Sequence, residues 1–343
     1  MKLEPNILIC GVNWLGDAVM TMPALQRFCE QQPKAHITML TRPSLVPLWD
    51  MHPNVDRTVP LSPDIAGMRI AARHLRQLDL DEAYIFPNSW RSALVPFFAR
   101  IPHRIGTRGH HRGILLTETT APSERATAGH QQWEYVDILR LRDIQELPPP
   151  TLAIPDSAAQ AIDASMPLTP GVRWIGMLPG AARGPSKQWP QAHFVAAAKQ
   201  IAADHACRFA ILGTKSEAPL CNEIQNAIGG AAISLAGRTS LPELIASLGR
   251  CDAVLCNDSG GMHLASAVGT KVVAVYGITD ATKTGPLGEG HRLIQAKGVT
   301  ASRDVPRDSL EAREALKSIS PERVAEATLD ILNTTPSPSA PPE

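Results

Sequence analysis

The sequence predicts an α/β protein made of two doubly wound, Rossmann-like parallel-sheet domains. Three features point there. Short apolar runs alternate with helical patterns in the first half, a proline-rich stretch interrupts them, and the alternation then restarts. Alternating strand and helix is the pattern of a parallel sheet covered on both faces. The chain has 343 residues, the length of two domains at roughly 100–200 residues each.

The elements follow in order. In the first half, strands are expected over residues 6–11, 36–40, 55–59 and 83–86, with helices near 24–32, 65–77 and 92–99. Pro23 would fall inside a helix begun at residue 18, so that segment is expected to kink or to begin its regular helix near Met22. Leu147-Pro148-Pro149-Pro150 suits neither helix nor central strand, and prolines recur at Pro155, Pro167 and Pro170. Residues 145–172 therefore read as the linker region, with a short helix near 157–164. Strands resume over 174–178, 208–212, 232–235, 253–256 and 272–276. Helices are expected over 194–203 and 262–268, and helical patterns follow the strands at 208–212 and 232–235. A last helix runs from Pro321 to about Leu332, with Ser320 placed to cap it. This gives domains over 1–150 and 151–335 and a proline-rich tail, 336–343, expected to be disordered. Two such halves are expected to face each other across a cleft lined by the carboxyl edges of their sheets, where ligands bind.

Composition narrows the class. Lys and Arg total 33, Asp and Glu total 33, and 44% of residues are apolar. A balanced charge disfavours a nucleic-acid partner, which would require a basic excess. The six cysteines form no C-x-x-C pair, and several sit in apolar runs. They read as buried, reduced thiols of a cytoplasmic protein. No secretory signal opens the chain, and no run reaches ~18 apolar residues, so any membrane contact is expected to be peripheral.

Four segments carry chemistry. The first expected strand ends in Gly11-Val-Asn-Trp-Leu-Gly16-Asp17. This is not a phosphate loop, because Asp17 stands where Lys is required. Asp17 can cap the next helix or accept a proton, and spacing leaves both open. Asn257-Asp258-Ser259-Gly260-Gly261 ends another strand and opens a helix, where backbone N–H groups suit a diphosphate. His263, one turn beyond Ser259, is placed to face the same ligand, or is simply packed. The loop from Pro179 and Gly180 to Pro190 carries Arg183 and Lys187 among three prolines. Lys187 can neutralise a leaving diphosphate, or be a solvated loop lysine. Finally, no acid occurs between Arg100 and Thr117, while Arg100, His103, Arg104, Arg108, His110, His111 and Arg112 do. With the polar loop Asn88-Ser89-Trp90-Arg91 before it, this stretch is a local positive field fit for an anionic acceptor, or an ordinary solvated surface.

Taken together, these segments resemble the ADP-heptose:lipopolysaccharide heptosyltransferases, most closely their heptosyltransferase II members. The resemblance rests on Trp14-Leu15-Gly16-Asp17, Met22-Pro23-Ala24-Leu25, Pro87-Asn88-Ser89-Trp90-Arg91-Ser92 and Ile101-Pro102-His103-Arg104-Ile105-Gly106. Pro179-Gly180-Ala181, Gly184-Pro185-Ser186-Lys187-Gln188-Trp189-Pro190 and Asn257-Asp258-Ser259-Gly260-Gly261-Met262-His263 complete it, in the family's order over about residues 6–280. It implies the GT-B fold, an inverting transfer of heptose from a nucleotide donor to the lipopolysaccharide inner core, and Asp17 as general base. Lys187, Asp258, Ser259, Gly260, Gly261 and His263, with Gly180, Arg183, Thr214 and Thr239, are expected on the donor side. Asn88, Ser89, Arg91, Arg104 and Arg108 are expected on the side of a lipid A-Kdo acceptor. The resemblance also implies peripheral contact with the cytoplasmic face of the inner membrane. No cofactor and no essential metal are expected, because no D-x-D pair occurs and protein cations can neutralise the leaving group. Ala182 and Arg183 stand where the family commonly has an acid and an aromatic, and Gly261 where it has a larger apolar residue. Two rival enzymes share such folds. An NAD-dependent oxidoreductase is disfavoured because G-x-G-x-x-G is missing after the first strand, whereas a nucleotide-sugar 2-epimerase remains the alternative.

Overall fold

In the computed structural model, residues 4–109, 111–300 and 305–334 are described. They form two compact units, Met1–Ala153 and Ile154–Glu343. The expected disordered tail, 336–343, lies outside the described residues.

Apolar runs too short for helices become strands buried on both faces. Ile7, Leu8 and Ile9 of β1 (Asn6–Cys10) are fully buried. Around it the first unit sets β2 (His36–Thr41), β3 (Arg57–Pro60), β4 (Glu82–Ile85), β5 (His103–Thr107) and β6 (Glu118–Thr120). The second unit has β7 (Arg173–Leu178), β8 (Cys207–Ile211), β9 (Ala232–Ser234), β10 (Ala253–Asn257), β11 (Lys271–Tyr276) and β12 (Arg292–Gln295). The sheet orders are β3-β2-β1-β4-β5-β6 and β12-β11-β10-β7-β8-β9. Every neighbouring pair is parallel. Both sheets thus share one doubly wound topology, which reverses between β1 and β4 in the first and between β7 and β10 in the second. Ligands bind at the carboxyl side of such reversals.

Two expectations are corrected. The first helix runs from Leu15 to Gln31, straight through Pro23, instead of starting near Met22. Proline inside a helix costs ~3 kcal/mol. Burial of Val19, Met20, Met22, Leu25 and Phe28 on the same helix offsets that cost, at roughly 1.5–3 kcal/mol per large apolar side chain. The second correction is that β5, β6 and β12 are strands where none was expected. The first was masked by its charge, His103-Arg104, and the others are short with half-exposed residues. Within the expected linker, the helix Asp156–Asp163 packs Ala158 and Ile162 against Ala246 in the second unit. All six cysteines are free thiols, four of them buried.

Candidate active site

Three of the segments singled out in the sequence, and the polar loop that precedes the fourth, fall at the two reversals. Gly11–Asp17 follows β1 and Pro87–Ser92 follows β4, in the first unit. Pro179–Pro190 follows β7 and Asp258–His263 follows β10, in the second.

In the second unit the two loops are locked by Asn257, the fully buried last residue of β10. Its Oδ1 accepts from the Trp189 N–H at 2.9 Å, and its Nδ2 donates to the Pro179 and Gly180 carbonyls at 2.7 and 3.3 Å. Trp189 is buried and donates its Nε1–H to the Ile319 carbonyl at 3.0 Å. Ser186 is buried as well, its hydroxyl 2.7 and 2.8 Å from the Pro306 and Arg307 carbonyls. Gly184 has φ +93°, and the Arg307 side chain lies 2.7 Å from where a Cβ would stand. Glycine is required there on both counts.

Lys187 is therefore held from both sides. Its Nζ pairs with the Asp258 carboxylate, and each side chain is only 10% exposed. Behind Asp258 comes the helix Gly260–Ala267, with Ser259 in the extended conformation of an N-cap. Helix geometry leaves its first N–H groups without intrahelical acceptors, an anion-binding arrangement. Gly261 makes room for Leu178, whose Cδ1 lies 2.7 Å from the position of a Cβ. A larger apolar residue would displace Leu178. His263 is buried in this helix, 4% exposed, and Arg183 is exposed.

Glu217 was not singled out in the sequence. Its Oε2 accepts from the Thr214 N–H and hydroxyl, both at 2.8 Å. Its Oε1 lies 1.9 Å from where a Cβ on Gly180 would stand, so the carboxylate sits against the loop after β7. The Thr-x-x-Glu spacing is a capping-box signal that can be used once the end of β8 is fixed. Thr239 stands just before Ser240, which caps the helix Leu241–Gly249.

In the first unit Asp17 is the third residue of its helix and half-buried, while the N-cap is Trp14. Asp17 is thus not the N-cap residue itself, although an acid at the third helical position can still serve the first-turn N–H groups. A carboxylate in the first turn is favoured by the positive helix end. Ser89 caps the helix Trp90–Phe98, accepting from the Ser92 N–H at 3.2 Å. Asn88, Ser89, Arg91 and Arg108 are exposed.

Arg112 corrects the picture of an open positive field, because it is fully buried. Its Nε donates to the Thr107 carbonyl at 3.0 Å, and its Nη atoms reach the carbonyls of Pro87 and Ser89 and the hydroxyls of Ser92 and Thr107. It ties the loop after β4 to the loop after β5. Burial lowers its pKa, the nearby Cys10 acting the other way, and among the described residues no carboxylate pairs with it. Arg104 stands apart from the other acceptor-side candidates. It lies near the start of β5, with its guanidinium on the Leu115, Ile101 and Pro102 carbonyls. His110 lies outside the described residues. Among the described residues no group of three or more His, Cys, Asp or Glu is placed to hold a metal ion.

The sequence model of glycosyltransferase family 9 (heptosyltransferase) matches residues 68–312. The lipopolysaccharide heptosyltransferase 2 of Escherichia coli is 31% identical over 340 residues, 94% of this chain and 97% of that protein. The lipooligosaccharide heptosyltransferase 2 of Haemophilus influenzae is 31% identical over 306 residues, 84% of this chain and 88% of that protein. Among solved structures, the E. coli ADP-heptose lipopolysaccharide heptosyltransferase II matches with a TM-score of 0.82 at 29% identity, covering 96% of this chain and 98% of that one. With two six-stranded parallel sheets, this likeness makes the fold GT-B. The chain is a glycosyltransferase and belongs to family 9, the heptosyltransferases.

Proposed function

We propose that the chain transfers heptose, with inversion at the anomeric carbon, from ADP-L-glycero-D-manno-heptose to the Kdo or heptosyl-Kdo region of the lipopolysaccharide inner core. One observation carries this. Most of the segments that carry the resemblance follow the strands at the two sheet reversals, with a carboxylate at one and a lysine beside a helix start at the other. A carboxylate and an anion site are what single displacement requires. Asp17 takes the proton of the acceptor hydroxyl as the new bond to the sugar forms. The departing ADP gathers negative charge, which Lys187 and the N–H groups at the start of Gly260–Ala267 stabilise. The diphosphate competes with Asp258 for Lys187. The Glu217 carboxylate is an acceptor suited to sugar hydroxyls, and Thr214, Thr239 and Arg183 stand on the same carboxyl edge. Asn88, Ser89, Arg91 and Arg108 serve the acceptor. Because protein groups do the neutralising, transfer needs no divalent metal. The acceptor is lipid-borne, so the enzyme works at the cytoplasmic face of the inner membrane. No helix among the described residues is long and apolar enough to cross it.

The test is a transfer assay with a chelator present. Asp17→Asn is expected to abolish transfer while leaving ADP-heptose affinity within a few-fold of wild type. Near-normal turnover by this variant would remove Asp17 from the reaction. Loss of wild-type activity in the chelator, restored by magnesium, would overturn the metal-free mechanism.

A further inference from the structure

The first unit carries a surface that the transfer chemistry does not use. The helices Ile65–Leu75 and Trp90–Phe98 pack side by side. Their carboxyl ends lie at the edge where strands begin, opposite the edge that holds Asp17. Phe97 and Phe98 are 40% and 52% exposed there and meet edge to face, with centroids 5.6 Å apart. Water-exposed neighbouring phenylalanines are uncommon unless something covers them. On the adjoining helix Ile70 is about two-thirds exposed, as is Ile65 at its far, amino end.

Arginines surround the rings. Arg76 donates through Nε and Nη2 to the Phe98 carbonyl at 2.8 and 2.6 Å. Arg104 lies over the Phe97 ring, 5.5 Å from its centre. With Arg100, Ile101 and Pro102 these side chains line an open cavity of about 430 Å³. Along the first helix, periodicity brings Arg69, Arg73 and Arg76 within about 60° of arc, all three exposed. Residues 65–78 and 83–117 contain no Asp or Glu, in a chain whose charges balance at 33 and 33. Asp79, Asp81 and Glu82 stand between these stretches at the start of β4, so the positive excess belongs to the two helices and the turn after them and not to the whole edge.

Exposed rings within a field of guanidinium groups match the interface of an anionic bilayer. Rings enter the boundary between headgroups and acyl chains, and arginines take the lipid phosphates. We propose that this face docks the first unit onto an anionic phospholipid membrane, with Phe97 and Phe98 inserted and Arg69, Arg73, Arg76 and Arg100 on the headgroups. The proposal takes its purpose from the lipid-borne acceptor of the function proposed above. Its geometry is independent of which sugar is transferred.

The full chain is sedimented with vesicles of phosphatidylcholine, alone or with about one-third phosphatidylglycerol. Binding is expected only to the anionic vesicles, and it is expected to weaken with added salt. Phe97→Ser/Phe98→Ser and Arg69→Glu/Arg73→Glu are each expected to weaken it on the order of tenfold, with melting temperature and ADP affinity unchanged. Failure of wild type to sediment, equal binding to neutral vesicles, or full binding by both variants would overturn the proposal. So would a lipid-free dimer dissolved by the phenylalanine substitutions, which would assign the face to a second copy. Neither substrate is present, so these outcomes are independent of the transfer assay. Absence of transfer to a soluble, deacylated acceptor would count against the proposed function alone.

Discussion

Lys187 and Asp258 form a charge pair that a ligand can rearrange. Each is largely shielded from water, so removing one partner leaves the other poorly compensated. The two removals differ in effect on the donor. Lys187→Ala deletes a charge-assisted bond to the diphosphate, and ADP affinity measured by calorimetry is expected to fall roughly tenfold to hundredfold. Asp258→Asn frees the lysine from its competitor, and affinity is expected to stay within a few-fold of wild type. Equal losses in the two variants would mean that the pair acts only as a unit. The sequence alone left Lys187 either a diphosphate ligand or a solvated loop lysine, and the family resemblance placed it on the donor side. The sequence could not show the pairing, since Asp258 lies 71 residues further on. Nor could it show that His263 is buried. A spacing of four places two residues on one helix face without saying which way that face looks.

At the scale of elements, the loops after β7 and β8 are fitted to each other through Gly180 and Glu217. In Gly180→Ala the new methyl would stand 1.9 Å from the Glu217 oxygen. Glu217 must swing away and lose its bonds to Thr214. The variant is expected to lose about 1–3 kcal/mol of stability and to show a raised donor KM, both read from thermal melts and kinetics. Adding Glu217→Ala relieves the overlap and should recover part of the stability. Melting of Gly180→Ala at the wild-type temperature would show that the two loops are not in contact. Strands such as β1, β7 and β10 were legible because burial on both faces makes them continuous apolar runs. Edge strands β6 and β12 carry no such run. The start of the Leu15–Gln31 helix was hidden because Pro23 argued locally against it, and only tertiary burial overrides that argument.

For the molecule as a whole, two doubly wound parallel sheets were legible from the alternation of strand and helix, but their common strand order was not, since β5, β6 and β12 give no sequence signal. Nor was stability against acid. His52 is 2% exposed, and its Nδ1 accepts from the Asn54 N–H at 3.2 Å. Burial lowers its pKa from 6.5 to about 4. The fold thus favours the neutral ring, a contribution present in full above pH 6.5 and lost as pH falls towards 4. The loss is about 3 kcal/mol, from the drop of 6.5 to about 4. His291 shifts in the same direction because of burial, its ring held between the Val272 N–H and the Leu287 carbonyl. Melting temperature is therefore expected to drop steeply between pH 6.5 and 4, and His52→Gln is expected to flatten part of that slope. An unaltered slope would place the acid-sensitive group elsewhere.

The anchoring of the Lys187 loop also sets a timetable. Ser186 and Trp189 depend on carbonyls of Pro306, Arg307 and Ile319, which are 120–130 positions later in the chain. At ~5–20 residues per second of synthesis, those carbonyls reach the loop on the order of ten seconds after the loop itself is made. A ribosome-bound chain stalled before residue 306 could already hold a finished first unit and a nearly complete second sheet. It would still lack a donor loop of fixed shape, so nucleotide binding should be among the last properties the nascent enzyme acquires.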